Sequence, residues 1–292
     1  MDLAQKAPRV YQAFQEILQK KRLNHAYLFS GDFANFDMAL FLAKTLFCEQ
    51  KRGNAPCHHC RACQLIEHND FSDVTILEPV GQLIKTDTVK EMMTNFSQTG
   101  YEGRRQVFII KDCDKMHVNA ANSILKYIEE PQGDCYMFLL TNDDNQVLPT
   151  IKSRTQVFHF PKDEHYLFEL AQKKGLLKHQ ADLLARLAAN AQQLTAFSEN
   201  TRMLELMAQA ERFVSIWFQD KEQAYLELNR LVQLAEEKEE QDMALTLLTL
   251  ILAKDYSRQN AFTYLEAVYQ ARLMWQSNVS FQNTLEYMVI SC

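Results

Sequence analysis

The sequence predicts an α/β protein followed by an all-α one: a doubly wound parallel sheet to about residue 161, then helices to residue 292. Three observations carry this. Short apolar runs without polar alternation, above all residues 107–110, suit strands buried on both faces, as in parallel sheets. These runs alternate with helical periodicities across short connections, which is the pattern of β–α winding. Beyond Pro161 no strand pattern recurs, while Leu, Met, Phe and Trp repeat at helical spacing.

Taken in order, residues 9–22 predict an amphipathic helix with Val10, Phe14, Ile17 and Leu18 on one stripe. Residues 25–30 predict a strand ending at Gly31, and a helix follows through Met38, Leu42, Ala43 and Leu46. Residues 74–77 read as a further strand and 86–96 as a helix capped by Thr86 or Asp87. A turn at Gly100 and Gly103 leads into the central strand, 107–110. Residues 119–130 form a helix with Ala120, Ile124, Leu125 and Ile128 on one face, stopped by Pro131. Another buried strand is expected over 136–140, and 155–160 alternates as a last one. Two or three short helices are expected over 164–198, with longer ones over 202–219, 221–235, 242–256 and 260–276. The acidic run 236–242 reads as a solvated face or loop between two of these. Their Met and aromatic stripes are helix-bundle core rather than a cofactor pocket.

Composition narrows the function. The length exceeds what one core needs, so two or three domains are expected. A net charge of −6 argues against tight, independent nucleic-acid binding, so any such role is shared with partners. Only seven glycines leave little material for elaborate phosphate-binding loops. The N-terminus has no apolar core of a signal peptide, and the most apolar window, 243–253, is too short to span a membrane. Seven cysteines, four of them between Cys48 and Cys63, then point to reduced thiols, a metal and the cytoplasm.

Three stretches carry chemistry. Between the first strand and its helix, where a P-loop would lie, Gly31 begins a segment with Phe36, Asp37 and Met38. A P-loop has a second glycine to wrap phosphate, a lysine for the β/γ charge and a hydroxyl for Mg²⁺ at those places. Asp112 stands where the central strand emerges, the Walker B place, where open α/β sheets bind ligands. The next residue, normally a glutamate that orients water, is Cys113, which lacks a carboxylate. The third stretch is Cys57, Cys60 and Cys63 at C-x₂-C-x₂-C, with Cys48 upstream. Four thiolates suit a closed tetrahedral Zn²⁺ site, structural and not catalytic. An iron–sulfur pattern would want cysteine where Glu67 stands; His58, His59 and His68 rank behind Cys48 as the fourth ligand.

These stretches, with residues 25–31, 122–131, 138–142 and 148–154, together resemble the delta-prime family of bacterial DNA polymerase III clamp-loader subunits, within the AAA+ class. The resemblance covers residues 23–160 and extends to the helical remainder by layout only. It implies an AAA+ sheet domain over 1–161 with a zinc module at 48–68, a small helical lid over 162–200 and a helical collar over 201–292. It implies a non-hydrolysing subunit of a ring, with gamma/tau ATPase and delta subunits as partners, that places a sliding clamp on primed DNA. It also implies that Arg154, beside Ser153, is an arginine finger acting on ATP bound by the neighbouring subunit. The family's Ser-Arg-Cys here ends in Thr155. An active ATPase with an unusual P-loop would have to lose lysine, hydroxyl and glutamate together. A zinc-module nucleic-acid binder would want more basic surface than Lys51, Arg52 and Arg61, and a zinc hydrolase conflicts with a closed site.

Overall fold

In a computed structural model the apolar runs become five strands: β1 (Ala26–Ser30), β2 (Val74–Leu77), β3 (Arg105–Ile110), β4 (Asp134–Thr141) and β5 (Gln156–His159). Residues 3–81, 83–98, 105–131 and 133–292 are described, so the expected turn at Gly100 and Gly103 lies outside the described residues. The strand order is β2-β3-β4-β1-β5 and every pairing is parallel. β1 is buried at all five residues and β3 at its last four, because each has a strand on both sides. The edge strand β5 is only half-buried, which is why its sequence alternates. The chain separates into two units, Met1–Asp163 and Glu164–Cys292.

The sheet unit adds α1 (Leu3–Lys6), α2 (Pro8–Gln19), α3 (Asn35–Phe47), α4 (Arg61–Glu67), α5 (Thr86–Gln98), α6 (Val118–Glu129) and α7 (Pro149–Lys152). Pro8 opens α2, where its missing N–H loses no helical bond. Phe14 of that helix is fully buried, with the rings of Tyr27, Phe29 and Phe158 at 5.3, 5.7 and 4.6 Å. Glu130 caps α6, as expected of a residue held out of the helix by the following proline. The helix α4 is not apparent from helical periodicity, since its short sequence is dominated by the cysteine spacing.

Gly31 is required by backbone approach. Its φ is +105°, and a Cβ there would lie 2.3 Å from the Phe160 carbonyl oxygen. The strand ends hold that approach in place: Phe160 N–H donates to Ser30 O at 2.7 Å, and Gly31 N–H to Thr141 O at 2.8 Å. Gly31→Ala is expected to cost about 3 kcal/mol, from the strained dihedral and the clash together. Urea unfolding should show a lower midpoint at unchanged slope. A midpoint equal to wild type would contradict this account.

The second unit contains α8 (Glu164–Lys173), α9 (Lys178–Leu187), α10 (Ala191–Glu199), α11 (Thr201–Trp217), α12 (Lys221–Leu234), α13 (Lys238–Lys254), α14 (Ala261–Gln276) and α15 (Phe281–Ile290). Their buried side chains form one cluster that includes Leu183 and Leu184 of α9 and continues to Val289. At its centre Trp217 stacks on Tyr264 at 4.2 Å, and the Tyr264 hydroxyl donates to the Trp217 carbonyl at 3.1 Å. Two features depart from the expected pattern. The acidic run is in part a solvated helix face, one of the two readings expected of it, and α13 begins earlier than expected, at Lys238, with Glu240 accepting from the backbone N–H groups of Glu236 and Glu237. Carboxylates are favoured at that end of a helix by its dipole. The last helix, α15, was not expected, yet Phe281, Leu285, Met288 and Val289 are all buried. Among the described residues no helix is long and apolar enough to cross a membrane.

Candidate metal centre and strand-end site

The four cysteines meet where α3 ends and α4 begins. Cys48 follows the last turn of α3, and Cys60 caps α4, so Cys63 lies in the first turn. All four are buried, and their sulfurs lie within 4.8 Å of one another. The Cys60 and Cys48 sulfurs are 4.0 Å apart. A tetrahedral ion with metal–sulfur bonds of about 2.3 Å needs sulfurs about 3.8 Å apart, so the donor set fits a zinc-like ion. Backbone N–H groups already point at the sulfurs: Cys57 N–H at Cys48 Sγ (3.3 Å) and Cys60 N–H at Cys57 Sγ (3.2 Å).

The thiols are tuned unequally. Burial acts to raise Cys57, but N–H groups of His59 and Cys60 and the neighbouring thiols outweigh it and bring the thiol down to about 6. Burial likewise opposes ionisation of Cys60, which backbone N–H groups still lower. Burial drives Cys63 well above the usual thiol range. Such a thiol ionises when a cation arrives. His59 is committed elsewhere, with Nδ1 at 2.8 Å from the Cys57 carbonyl and Nε2 at 3.1 Å from Gln50 Oε1. His58 and His68 are exposed and line a hollow with Gln64 and Glu67. Among the described residues the close group of ligand atoms is the four cysteines alone.

At the carboxyl ends of the strands the P-loop positions serve the fold. Met38 is fully buried. Asp37 turns to α1, where Lys6 Nζ meets its carboxylate at 2.5 Å. Phe36 N–H donates to Asn35 Oδ1 at 2.6 Å, and Lys111 Nζ lies 3.9 Å from the centre of the Phe36 ring. Two cations thus reach the first turn of α3: Lys6 at Asp37, and Lys111, the residue directly after β3, at Phe36. Asp112 adopts a left-handed conformation (φ 47°) and pairs with Lys115 at 2.9 Å. Cys113 is buried in the core beneath, and burial pushes its thiol far up, so it offers neither acid nor base.

Sequence reasoning missed the carboxylates that do face the strand ends. Asp114 accepts a hydrogen bond from the Thr141 hydroxyl at 2.6 Å. Asp144 accepts from Ser30 Oγ at 2.9 Å and pairs with Lys152 Nζ at 2.5 Å. The Lys152 bond and then Ser30 hold the Asp144 carboxyl below its usual range. Ser30 and Thr141 are the polar ends of otherwise apolar strands, and that break in pattern was the available signal.

Arg154 lies just beyond α7 and is exposed. Its Nε donates to Glu129 at the end of α6, and its Nη1 lies 3.1 Å from the Thr150 carbonyl and 3.3 Å from Ser153 Oγ. Ser153 thus touches the guanidinium directly. The arrangement presents a permanent, partly ordered positive charge at the surface of the sheet unit.

A family model described as "DNA polymerase III, delta subunit" matches residues 6–164. The DNA polymerase III subunit delta' of Bacillus subtilis is 30% identical, over 97% of this chain and 95% of its own length. The subunit delta' of Pseudomonas aeruginosa is 37% identical, over 44% of this chain and 41% of its own. The subunit tau of Bacillus subtilis is 29% identical, over 52% of this chain and 27% of its own.

Proposed function

The chain belongs to the DNA polymerase III delta-prime family, and from that premise we propose that it is the non-hydrolysing subunit of a clamp loader. In this role it assembles with gamma/tau ATPase and delta subunits and helps place a sliding clamp on primed DNA during replication. Arg154 reaches toward ATP held by the neighbouring subunit, with Ser153 as its local support. The sheet unit, residues 1–161, carries the zinc module at 48–68; residues 162–200 serve as a lid and 201–292 as the collar that joins the ring.

One observation carries the non-hydrolysing part. Phe36, Asp37 and Met38 stand where a P-loop would wrap phosphate, and each is committed to an intramolecular contact or to the core. Cys113 adds the loss of a water-orienting acid. The isolated chain is therefore expected to show no steady ATP turnover. Turnover that survives purification to constant activity and disappears in Asp112→Asn would refute this. The role in the complex is tested by mixing the chain with the ATPase and delta subunits. A single stoichiometric assembly is expected by gel filtration with mass measurement, and separate elution would overturn the assignment.

The four cysteines are proposed to hold one structural Zn²⁺. When bound, the ion supplies a cross-link between the end of α3 and the start of α4. The chain's part is to present four thiolates, two of them eased toward ionisation by backbone N–H groups.

A further inference from the structure

The helix that ends at Cys48 carries a buried cation, Lys44. Lys44 lies on α3 one turn before Cys48, whose N–H donates to the Lys44 carbonyl at 2.8 Å. Glu67 lies on α4 one turn after Cys63. The Lys44 ammonium crosses the seam between the two helices and pairs with Glu67. The lysine side chain is only 7% exposed, while that of its glutamate partner is 58% exposed. The cavity beside them, about 300 Å³, is also lined by Lys6, Asp37 and His58.

A buried ammonium is costly unless nearby negative charge compensates it. A carboxylate more than half in water is a weak compensator, because solvent screens it. Two other negative charges lie near Lys44: Asp37, which is already paired with Lys6, and the cysteine centre, where a Zn²⁺ ion with four thiolates would carry a net double negative charge. That charge is itself buried, so it acts on Lys44 with little screening, and the ammonium acts equally on it. Burial draws the Lys44 pKa down, and the charges on Cys63 and then Asp37 push it back up.

We propose that Lys44 is the counter-charge of the four-cysteine centre, and that its ammonium, not its helix-to-helix pair with Glu67, sets how firmly the metal is held. The proposal rests on the reading of the cysteines as a zinc site. Lys44 stands four residues before Cys48 on α3 and its partner Glu67 four residues after Cys63 on α4, so the ion pair spans the same helix-to-helix seam as the cysteines. Partners in the surroundings of metal ligands typically change metal affinity by 10–100-fold when removed.

The test uses the full-length, zinc-loaded protein and follows transfer of zinc to the chromophoric chelator 4-(2-pyridylazo)resorcinol. Lys44→Met keeps the apolar stem and removes the charge; it is expected to weaken zinc retention by about tenfold or more. Lys44→Arg is expected to stay within about threefold of wild type, as is Glu67→Gln, which removes the pair and leaves the charge in place. Circular dichroism and thermal unfolding check that each variant keeps its fold. Lys44→Gln gives a second neutral variant should the methionine variant fail to fold. Retention equal to wild type in a folded, neutral variant overturns the proposal. So does equal loss in Lys44→Met and Glu67→Gln, which would make the pair a simple staple. Wild-type protein that takes up no zinc removes the zinc reading and this proposal with it, an outcome distinct from both.

Discussion

Arg154→Ala is expected to abolish most clamp loading by the reconstituted complex while leaving folding, zinc content and assembly unchanged. A guanidinium is permanently charged and forked, so it can meet two phosphate oxygens as charge builds during γ-phosphoryl transfer. Fingers supplied by a neighbour are worth about 10³–10⁵ in rate at a single site. In a ring with several ATP sites the bulk hydrolysis rate dilutes a loss at one interface. Clamp loading, which needs the sites to act together, is therefore the sensitive measurement. The contacts of Arg154 with Glu129, Thr150 and Ser153 engage Nε and Nη1 from one side. Arg154→Lys should recover little, since a point charge on a flexible stem lacks the fork. Normal loading by an assembled Ala variant under saturating ATP would end the finger hypothesis.

Removal of the metal is the second large effect. Gently purified protein is expected to contain about one zinc and no iron, and Cys60→Ser to lose most of it. Structural Zn²⁺ is worth roughly 10–16 kcal/mol in small peptides that fold around it. Here the core cluster around Phe108, Ile110, Met137 and Leu139 contains none of the four thiols, so the loss should fall on residues 48–68. Hydrogen exchange should quicken there, while the amides of β1, β3 and β4 keep their protection. Full metal content in the Cys60→Ser protein, or chelation that unfolds the sheet cooperatively with the module, would contradict this division.

Much of the fold and of the cysteine site is legible in the sequence. The run 107–110 was readable as an interior strand because the period-2 signal vanishes where both faces are covered, and β3 lies between β2 and β4. The cysteines were readable because two C-x₂-C turns fix most of a tetrahedral site by themselves. What stayed hidden depends on contacts distant in sequence. Asp37 reads as a carboxylate hostile to phosphate, yet its position is explained by Lys6, which is 31 residues away. Asp144 attracts no notice in a linear reading, and only the fold brings it to Ser30, with Lys152 on its other carboxylate oxygen. The helix α15 was overlooked although its apolar spacing was present, because a short terminal segment offers few turns over which a period can be recognised.

The ion pair between Asp37 and Lys6 bears on what a P-loop pattern introduced into α3 would meet. A lysine placed at position 37 would set a new ammonium beside Lys6, with Lys44 lining the same cavity. A hydroxyl at position 38 would enter a site where Met38 is completely enclosed by the core, and it would bring an unmatched polar group with it. Each change taken singly works against a contact of the fold, the Asp37–Lys6 pair in one case and the enclosed Met38 site in the other. The start of α3 is thus tied to the interior of the sheet unit at the very positions where a P-loop would turn its side chains to phosphate.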